Sequence, residues 1–303
     1  MELPAIPGGH AGMSSPSLMA QEQGAREREL NRPTRIGRPP VRISDIWRSP
    51  FTDLPIRDEM LFQYLPLPES AEVLEVGPGS GFTAFRFSRL VKQLVLVDIA
   101  AENIERLKNS LKPVTNLGFV CWDMSTPGLA EKLGRKFDVV ESIEVLEFVP
   151  KPATALRNMA DALRPGGTLF LQFPNYRPGV SHGVTFFEKR SELDEMLERA
   201  GFESWEIFQL NLRPFAGWIY RIFHEKPINF YRRRQGRNRP DRPQTYDSVW
   251  TFQNRSRLDR YRSVLFVCWM IMITTMRLGG DCFRRTCLGN DIMDRNLLVI
   301  ARR

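Results

Sequence analysis

The residues best placed to do chemistry lie in the run Val73-Leu74-Glu75-Val76-Gly77-Pro78-Gly79-Ser80-Gly81. The apolar residues around Glu75 read as a short buried strand, and the glycines as a sharp turn into a helix running from Phe82 to Val91. Gly77, Gly79 and Gly81 can take a left-handed φ and carry no Cβ, so a ligand can approach their backbone closely. The helix that follows presents free N–H groups to an anionic or polar ligand. Such a turn is a nucleotide cradle. A dinucleotide fingerprint would place its last glycine at position 82, where Phe82 stands, so the spacing is Gly-x-Gly-x-Gly. Asp98 follows seventeen residues after Gly81, where a carboxylate can accept from both ribose hydroxyls or simply end a strand in solvent. Asp123, after Cys121-Trp122, can accept from an adenine amino group or cap the segment Ser125–Pro127.

These residues must be held by a repeating frame. Ala71–Val76, Gln93–Asp98, Leu117–Trp122, Phe137–Ser142, Gly167–Phe173 and Glu203–Leu210 read as strands. Ala101–Leu111, Lys151–Leu163 and Ser191–Ala200 read as helices, the last with Gly201 as C-cap. Strands apolar on both faces, alternating with helices of about a dozen residues, imply a parallel sheet covered on both sides. Ligands bind beyond the C-terminal strand ends of such sheets. Those ends carry Glu75–Gly81, Asp98, Asp123, Glu141–Glu147 and the loop after Phe173. A last apolar run, Asn296–Ala301, reads as a closing strand, with Arg302 and Arg303 in solvent.

Composition bounds the rest. Residues 1–42, rich in Gly, Pro, Ser, Gln and Arg, read as a disordered tail; residues 43–70 read as a helical lid broken by prolines. The net charge of +8 is concentrated: Glu225–Arg262 holds eleven basic and four acidic residues, a net +7. That suits an anionic lipid surface, nucleic acid or an anionic substrate, or else a solvated loop. The four cysteines lack metal-ligand spacing and read as reduced thiols. No secretory core is apparent near the N-terminus, and the apolar run Val264–Met276 is shorter than the roughly 20 residues of a bilayer span. A cytoplasmic protein, in peripheral contact with a membrane at most, is expected.

The glycine run, Asp98, Cys121-Trp122-Asp123, Phe137-Asp138-Val139-Val140, Glu144-Val145-Leu146-Glu147 and Leu163–Gly167 stand in a fixed order. So do His182, Phe186-Phe187, Leu193, Leu197 and Ala200-Gly201-Phe202. In this the chain resembles the class I S-adenosylmethionine-dependent methyltransferases over roughly residues 70–210 plus the terminal strand. The resemblance implies a three-layer, Rossmann-like α/β fold. Its seven-stranded sheet is mostly parallel with an antiparallel last strand. The core would span residues 71–210 and 295–303, with a basic and apolar helical insertion at 211–294. It implies S-adenosylmethionine as cofactor, held by Gly77, Gly79 and Gly81 at the methionine part and by Asp98 at the ribose, with Ile99 also among the cofactor-binding residues. Asp123 and Met124 would hold the adenine. Glu75 would support the turn or reach the amino group through water, and the backbone near Ser142 would accept from that group.

The activity implied is methyl transfer to an oxygen, less readily a nitrogen or carbon, of a small or lipid-like molecule. Alternatives are a nucleic-acid methyltransferase and a cofactor-binding protein without turnover. A hydroxyl acceptor needs a base, for which Glu144, Glu147, Tyr176 and His182 are the candidates, His182 and Glu147 foremost. Glu144-Val145-Leu146-Glu147-Phe148 resembles a metal-holding Glu-x-x-Glu-His stretch of some quinone-pathway and RNA-end methyltransferases. Phe148 cannot ligate, so no metal is expected. Glu144 and Glu147 are expected on one helical face, at the pocket border or capping the helix near Lys151. Within the insertion, Phe215, Trp218, Ile219, Ile222 and Phe223 recur at helical spacing opposite Arg213, Arg221, His224 and Lys226. Two readings follow: a substrate lid leaning on an anionic membrane through 211–280, or an ordinary helical cap over the pocket.

Overall fold

The computed structural model describes residues 56–65, 67, 70–177, 183–226 and 262–303. The expected tail at 1–42, the first part of the lid, His182 and the Arg232–Arg242 stretch lie outside the described residues.

The chain alternates as its apolar pattern requires. The strands are β1 (Glu72–Val76), β2 (Gln93–Asp98), β3 (Leu117–Cys121), β4 (Phe137–Ile143), β5 (Leu163–Asn175), β6 (Ser204–Leu212), β7 (Phe283–Cys287) and β8 (Arg295–Arg302). Before and among the first five lie helices α1 (Ile56–Tyr64), α2 (Phe82–Phe87), α3 (Ala101–Ser110), α4 (Leu129–Leu133) and α5 (Pro152–Ala162). After β5 come α6 (Arg190–Ala200), α7 (Pro214–Tyr220), which runs on as a π turn over Arg221–Glu225, and α8 (Arg262–Arg277). The sheet order is β3-β2-β1-β4-β5-β8-β6-β7. Strands β3 to β5 pair parallel, while β8 is antiparallel to β5 and β6, and β7 is antiparallel to β6. Because β5 and β6 both oppose β8, they run the same way. The C-terminal ends of β1 to β6 therefore share one edge of the sheet.

The α/β class and the antiparallel closing strand are as expected, with eight strands instead of seven. The added strand, β7, lies in the insertion and extends the sheet along β6, from Phe208 opposite Cys287 to Leu212 opposite Phe283. Its inward-facing Arg285 hides the alternation that marks a half-buried strand. The Arg285 guanidinium is buried between the rings of Tyr64, 4.4 Å away, and Phe208, 4.8 Å away. That burial pulls its pKa below the usual arginine value. Helix α1 reaches the same place: Gln63 Nε2 donates to Phe283 O at 2.7 Å, and Phe283 N donates to Gln63 Oε1 at 3.1 Å.

Two further details depart from expectation. Helix α2 is six residues long and stops at Phe87, short of Val91. Ser88 Oγ donates back to Phe85 O at 3.1 Å, a local bond that competes with the helical ladder. Arg303 is not left in solvent: its guanidinium donates to Ala160 O and Leu163 O at the C-terminal end of α5, where a helix concentrates negative potential. Gly201 does cap α6, at φ 94°.

Much of the core lies where α5 and α6 pack on the sheet. Leu156, Met159, Leu193 and Leu197 are buried with Leu74, Val97, Leu169 and Val299, and Phe173 meets Phe187 edge to face at 5.9 Å. The sheet edge away from the C-terminal strand ends is closed by charge. The buried Glu72 carboxylate accepts from Arg135 at 2.6 Å, Lys92 at 3.1 Å and Arg164 at 2.7 Å. Arg164 also binds Asp138 at 2.6 Å, and Asp138 accepts the Glu72 N–H at 2.8 Å. Hydrogen bonds from Arg135, Lys92 and Arg164 hold the Glu72 carboxyl down at about 2 against an ordinary 4.5. A carboxyl whose pKa is depressed on folding stabilises the fold above its unfolded pKa and loses that contribution as pH falls through its folded one. Glu72→Gln should therefore cost about 1–2 kcal/mol near pH 7, with the deficit against wild type shrinking between pH 4.5 and 2. Paired urea titrations across that range measure it; a deficit that does not change with pH would show that the carboxylate charge is not what stabilises this edge.

Candidate active site

The glycine turn is shaped by its neighbour across the sheet. After β4 the backbone enters the left-handed region at Glu144, φ 55°, a costly conformation for a residue with a side chain. Val145 then lies over the β1 turn so closely that a Cβ on Gly77 would fall 2.2 Å from Val145 Cγ2. Gly77, itself at φ 72°, donates its N–H to Val97 O at 2.8 Å. The requirement for glycine here is thus steric as well as conformational. Gly79 differs: at φ 50°, a built Cβ meets nothing within 4 Å, so open space faces this part of the turn. One of the expected free helical N–H groups is taken up locally, since Phe82 N–H is donated to Ser80 Oγ at 3.3 Å.

Asp98 ends β2 beside the turn. Its Oδ1 accepts from Ala100 N–H at 2.9 Å and its Oδ2 from Asn103 Nδ2 at 2.6 Å. A carboxylate offers about four lone-pair sites, so these two bonds orient the group and leave acceptor capacity on both oxygens. Next to it, Ile99 holds its side chain 66% exposed. Sequence reasoning assigns no role to Asn103 or Arg106, yet both hold the site. Asn103 Nδ2 also donates to Gly79 O at 3.1 Å. Arg106 donates to Gly79 O at 2.5 Å, to Ser80 O at 3.0 Å and to Asn103 Oδ1. One turn of α3 thereby ties the glycine turn to Asp98. The signal was their spacing, three apart on a helix that starts just after a strand-end carboxylate.

Beyond β3, Asp123 is exposed and its Oδ1 accepts from Ser125 N–H at 2.8 Å. It closes a turn there and does not cap a helix, since α4 begins at Leu129 with Gly128 as its N-cap. The Met124 side chain is buried in the core, and its carbonyl accepts from Asn158 Nδ2 at 3.0 Å. At the end of β4, the fully buried Ser142 pairs in register with Val76, and its Oγ has no hydrogen-bond partner among the described residues. Glu75 is buried on β1 and stands opposite Glu141 of β4, so the two buried carboxylates leave the same face of the sheet.

Glu144 and Glu147 do not share a helical face. Glu144 is in the left-handed turn, whereas Glu147 is buried in the short 3₁₀ turn Leu146–Phe148. The N-cap of α5 is Lys151, whose own side chain makes no capping hydrogen bond. Glu147 O accepts from Val184 N–H at 2.7 Å and from Thr185 N–H at 3.0 Å. Thr185 Oγ1 donates to Val149 O at 2.7 Å. Asn175, fully buried at the end of β5, clasps Phe187 from both sides and donates to Ile292 O at 2.8 Å. The strip after residue 182 is therefore sewn to the β4 end. Among the described residues no group of three His, Cys, Asp or Glu side chains is arranged to hold a metal ion.

A profile of the methyltransferase-domain family matches residues 51–207, more than half of the chain. The chain belongs to that family. It is a class I S-adenosylmethionine-dependent methyltransferase. The methyltransferase is 34% identical over 191 residues to a ubiquinone biosynthesis O-methyltransferase of Xanthomonas campestris pv. campestris, spanning 57% of this chain and 75% of that protein. It is 32% identical over 120 residues to the tRNA 5-carboxymethoxyuridine methyltransferase of Escherichia coli, spanning 39% of this chain and 45% of that one. Among solved structures, a phosphoethanolamine N-methyltransferase 2 of Haemonchus contortus in complex with S-adenosyl-L-methionine aligns with a TM-score of 0.47 at 13% identity, covering 86% of this chain and 57% of the other. The open space at Gly79, the acceptor capacity on Asp98 and the unpartnered Ser142 hydroxyl fit a cofactor that carries a ribose diol and an amino acid end.

The interlock of the two turns is testable without substrate. Gly77→Ala should cost about 2–4 kcal/mol of stability, from left-handed strain plus overpacking against Val145, and should remove cofactor binding in calorimetry. Adding Val145→Ala should restore part of the stability; no restoration would show that steric contact with Val145 is not the cause.

Proposed function

We propose that the methyltransferase transfers the methyl group to an oxygen of a small, lipid-like acceptor. The observation that carries this reading is the 34% identity, across three quarters of its length, to a relative named a ubiquinone biosynthesis O-methyltransferase. The bound cofactor supplies an electrophilic methyl on a sulfonium sulfur. The chain's own residues position it. Gly77, Gly79 and Gly81 cradle the methionine part, and Asp98 accepts from the ribose hydroxyls with the lone pairs that Ala100 and Asn103 leave open. Ile99 underlies the adenine, Asp123 accepts from its amino group, and Met124 contributes backbone only, its side chain being committed to the core. Glu75 lies buried beneath the turn, and the β4 end at Ser142 accepts from the cofactor's amino group.

In the reaction the acceptor oxygen forms a bond to the methyl carbon as the carbon–sulfur bond breaks, and the hydroxyl proton passes to a base. In-line positioning supplies most of the rate; a positioned base adds about 10²–10⁴-fold. Glu147 and His182 are the candidates, and Glu147 lies where the strip after residue 182 joins the β4 end through Val184 N–H. A second reading, transfer to RNA, has in its favour the relative named for tRNA and the net +7 of Glu225–Arg262.

Purified protein with methyl-labelled cofactor and a cell extract split into lipid, small-molecule and RNA fractions decides between them. Label is expected in the lipid fraction, and label in RNA alone would overturn the reading. Asp98→Ala should weaken cofactor binding about 10²-fold, the loss of two charge-assisted hydrogen bonds. With an acceptor in hand, Glu147→Gln should lower kcat about 10²-fold while leaving cofactor affinity within about twofold; an unchanged kcat would remove Glu147 as the base.

A further inference from the structure

The insertion leaves an apolar face that the fold itself does not cover. Helices α7 and α8 pack against each other and bury Ala216, Ile219, Trp269, Met272, Ile273 and Met276. Their outer sides do the opposite. Trp218, Phe223, Ile271 and Leu278 are each more than half exposed, Leu278 to 79%. Phe215 stacks on Trp218 with ring centroids 6.4 Å apart, and a Cβ on Gly279 would fall 2.6 Å from the Phe215 ring. Those two contacts join the start of α7 to the end of α8 and make the apolar residues one surface. Ile271 lies on α8, and Leu278 follows directly after its last residue, Arg277.

The sequence that follows α7 is strongly basic. Arg221 and Lys226 are exposed in and just after the π turn, with Glu225 the neighbouring acid, 4.0 Å from Arg221. The chain between Glu225 and Arg262, which leaves from the π turn and returns at the start of α8, carries a net +7. Aromatic side chains flanked by cations suit the boundary between lipid headgroups and acyl chains. Each Lys or Arg near an anionic bilayer adds about 1 kcal/mol of attraction. A second copy on this face would oppose like charge to like charge. No helix among the described residues is long and apolar enough to cross a membrane, so contact would be from one side.

We propose that the outer face of the α7–α8 pair, around Trp218, Phe223, Ile271 and Leu278, docks the protein onto an anionic lipid bilayer. Because α7 leaves the end of β6 on the same edge as Asp98 and the glycine turn, docking presents that edge toward the membrane. The inference stands on this surface alone and does not require the acceptor to be a lipid.

Flotation of the full-length protein with vesicles tests it apart from catalysis. The protein should float with vesicles containing about a third phosphatidylglycerol and not with phosphatidylcholine alone, and binding should weaken as salt screens the charge. Trp218→Ser combined with Phe223→Ser should weaken binding about tenfold or more, with thermal stability and cofactor affinity unchanged. Absence of binding to anionic vesicles at low salt would overturn the proposal. So would equal binding by the double variant, or a dimer in sedimentation that the double variant dissociates. Lipid-fraction methylation without vesicle binding would overturn docking and leave the proposed acceptor standing.

Discussion

The site depends on a single close approach, that of Val145 to the backbone of Gly77. Two parallel neighbours, β1 and β4, end at the same level of the sheet, and both chains must turn there. They do so by taking left-handed φ at Gly77 and at Glu144, one permitted by the absence of a Cβ and the other held at a cost by its surroundings. The result is a pair of interlocked turns. Their shape is dictated by packing, so the cradle proposed for the cofactor is a product of the fold itself. A cradle of that kind costs less to order on binding than a flexible loop would.

The polar groups divide along the sheet. At the edge remote from the site, Glu72, Asp138, Arg135, Arg164 and Lys92 satisfy one another in a compact network, and nothing there is left for a ligand. At the site edge the partners are fewer and more directional. Asp98 is oriented by Ala100 and Asn103 but keeps acceptor capacity, and Arg106 is spent on main-chain carbonyls of the glycine turn. The same residue types therefore do opposite things at the two edges. Charge pairs lock strands together at one, and single hydrogen bonds aim an acceptor at the other.

What could be read in the sequence follows from how local each determinant is. The strand Gln93–Asp98 and the cap at Gly201 were legible because apolar runs and a lone glycine speak for themselves. Asp98 was legible because its distance from the glycines is set by one helix and one strand. Asn103 and Arg106 were not, since two polar residues on the first turns of a helix look like its solvent face until the tertiary fold turns them toward Gly79. Glu141 was hidden for a related reason: only the register with Glu75 shows that two carboxylates share one buried face. Strand β7 was missed because its inward residue is Arg285, and a cation buried between two rings breaks the pattern by which half-buried strands are recognised.

The insertion shows why donor and acceptor sides are unequally legible in such a chain. The donor side binds one cofactor through backbone geometry and a few carboxylates, and those needs write themselves into short motifs. The acceptor side is expected from the helices and strand that the insertion adds beyond β6. Its demands are apolar area and charge sign, which many sequences can meet. In this chain the insertion contributes a strand that extends the sheet and a helix pair anchored by buried contacts. The anchor includes Arg277, whose guanidinium meets Glu59 of α1 where Arg86 of α2 also approaches, at 3.9 Å. That Trp218 and Phe223 are large, apolar and outward, and are followed in the sequence by its most basic stretch, is the observation on which the proposed docking to a lipid surface rests.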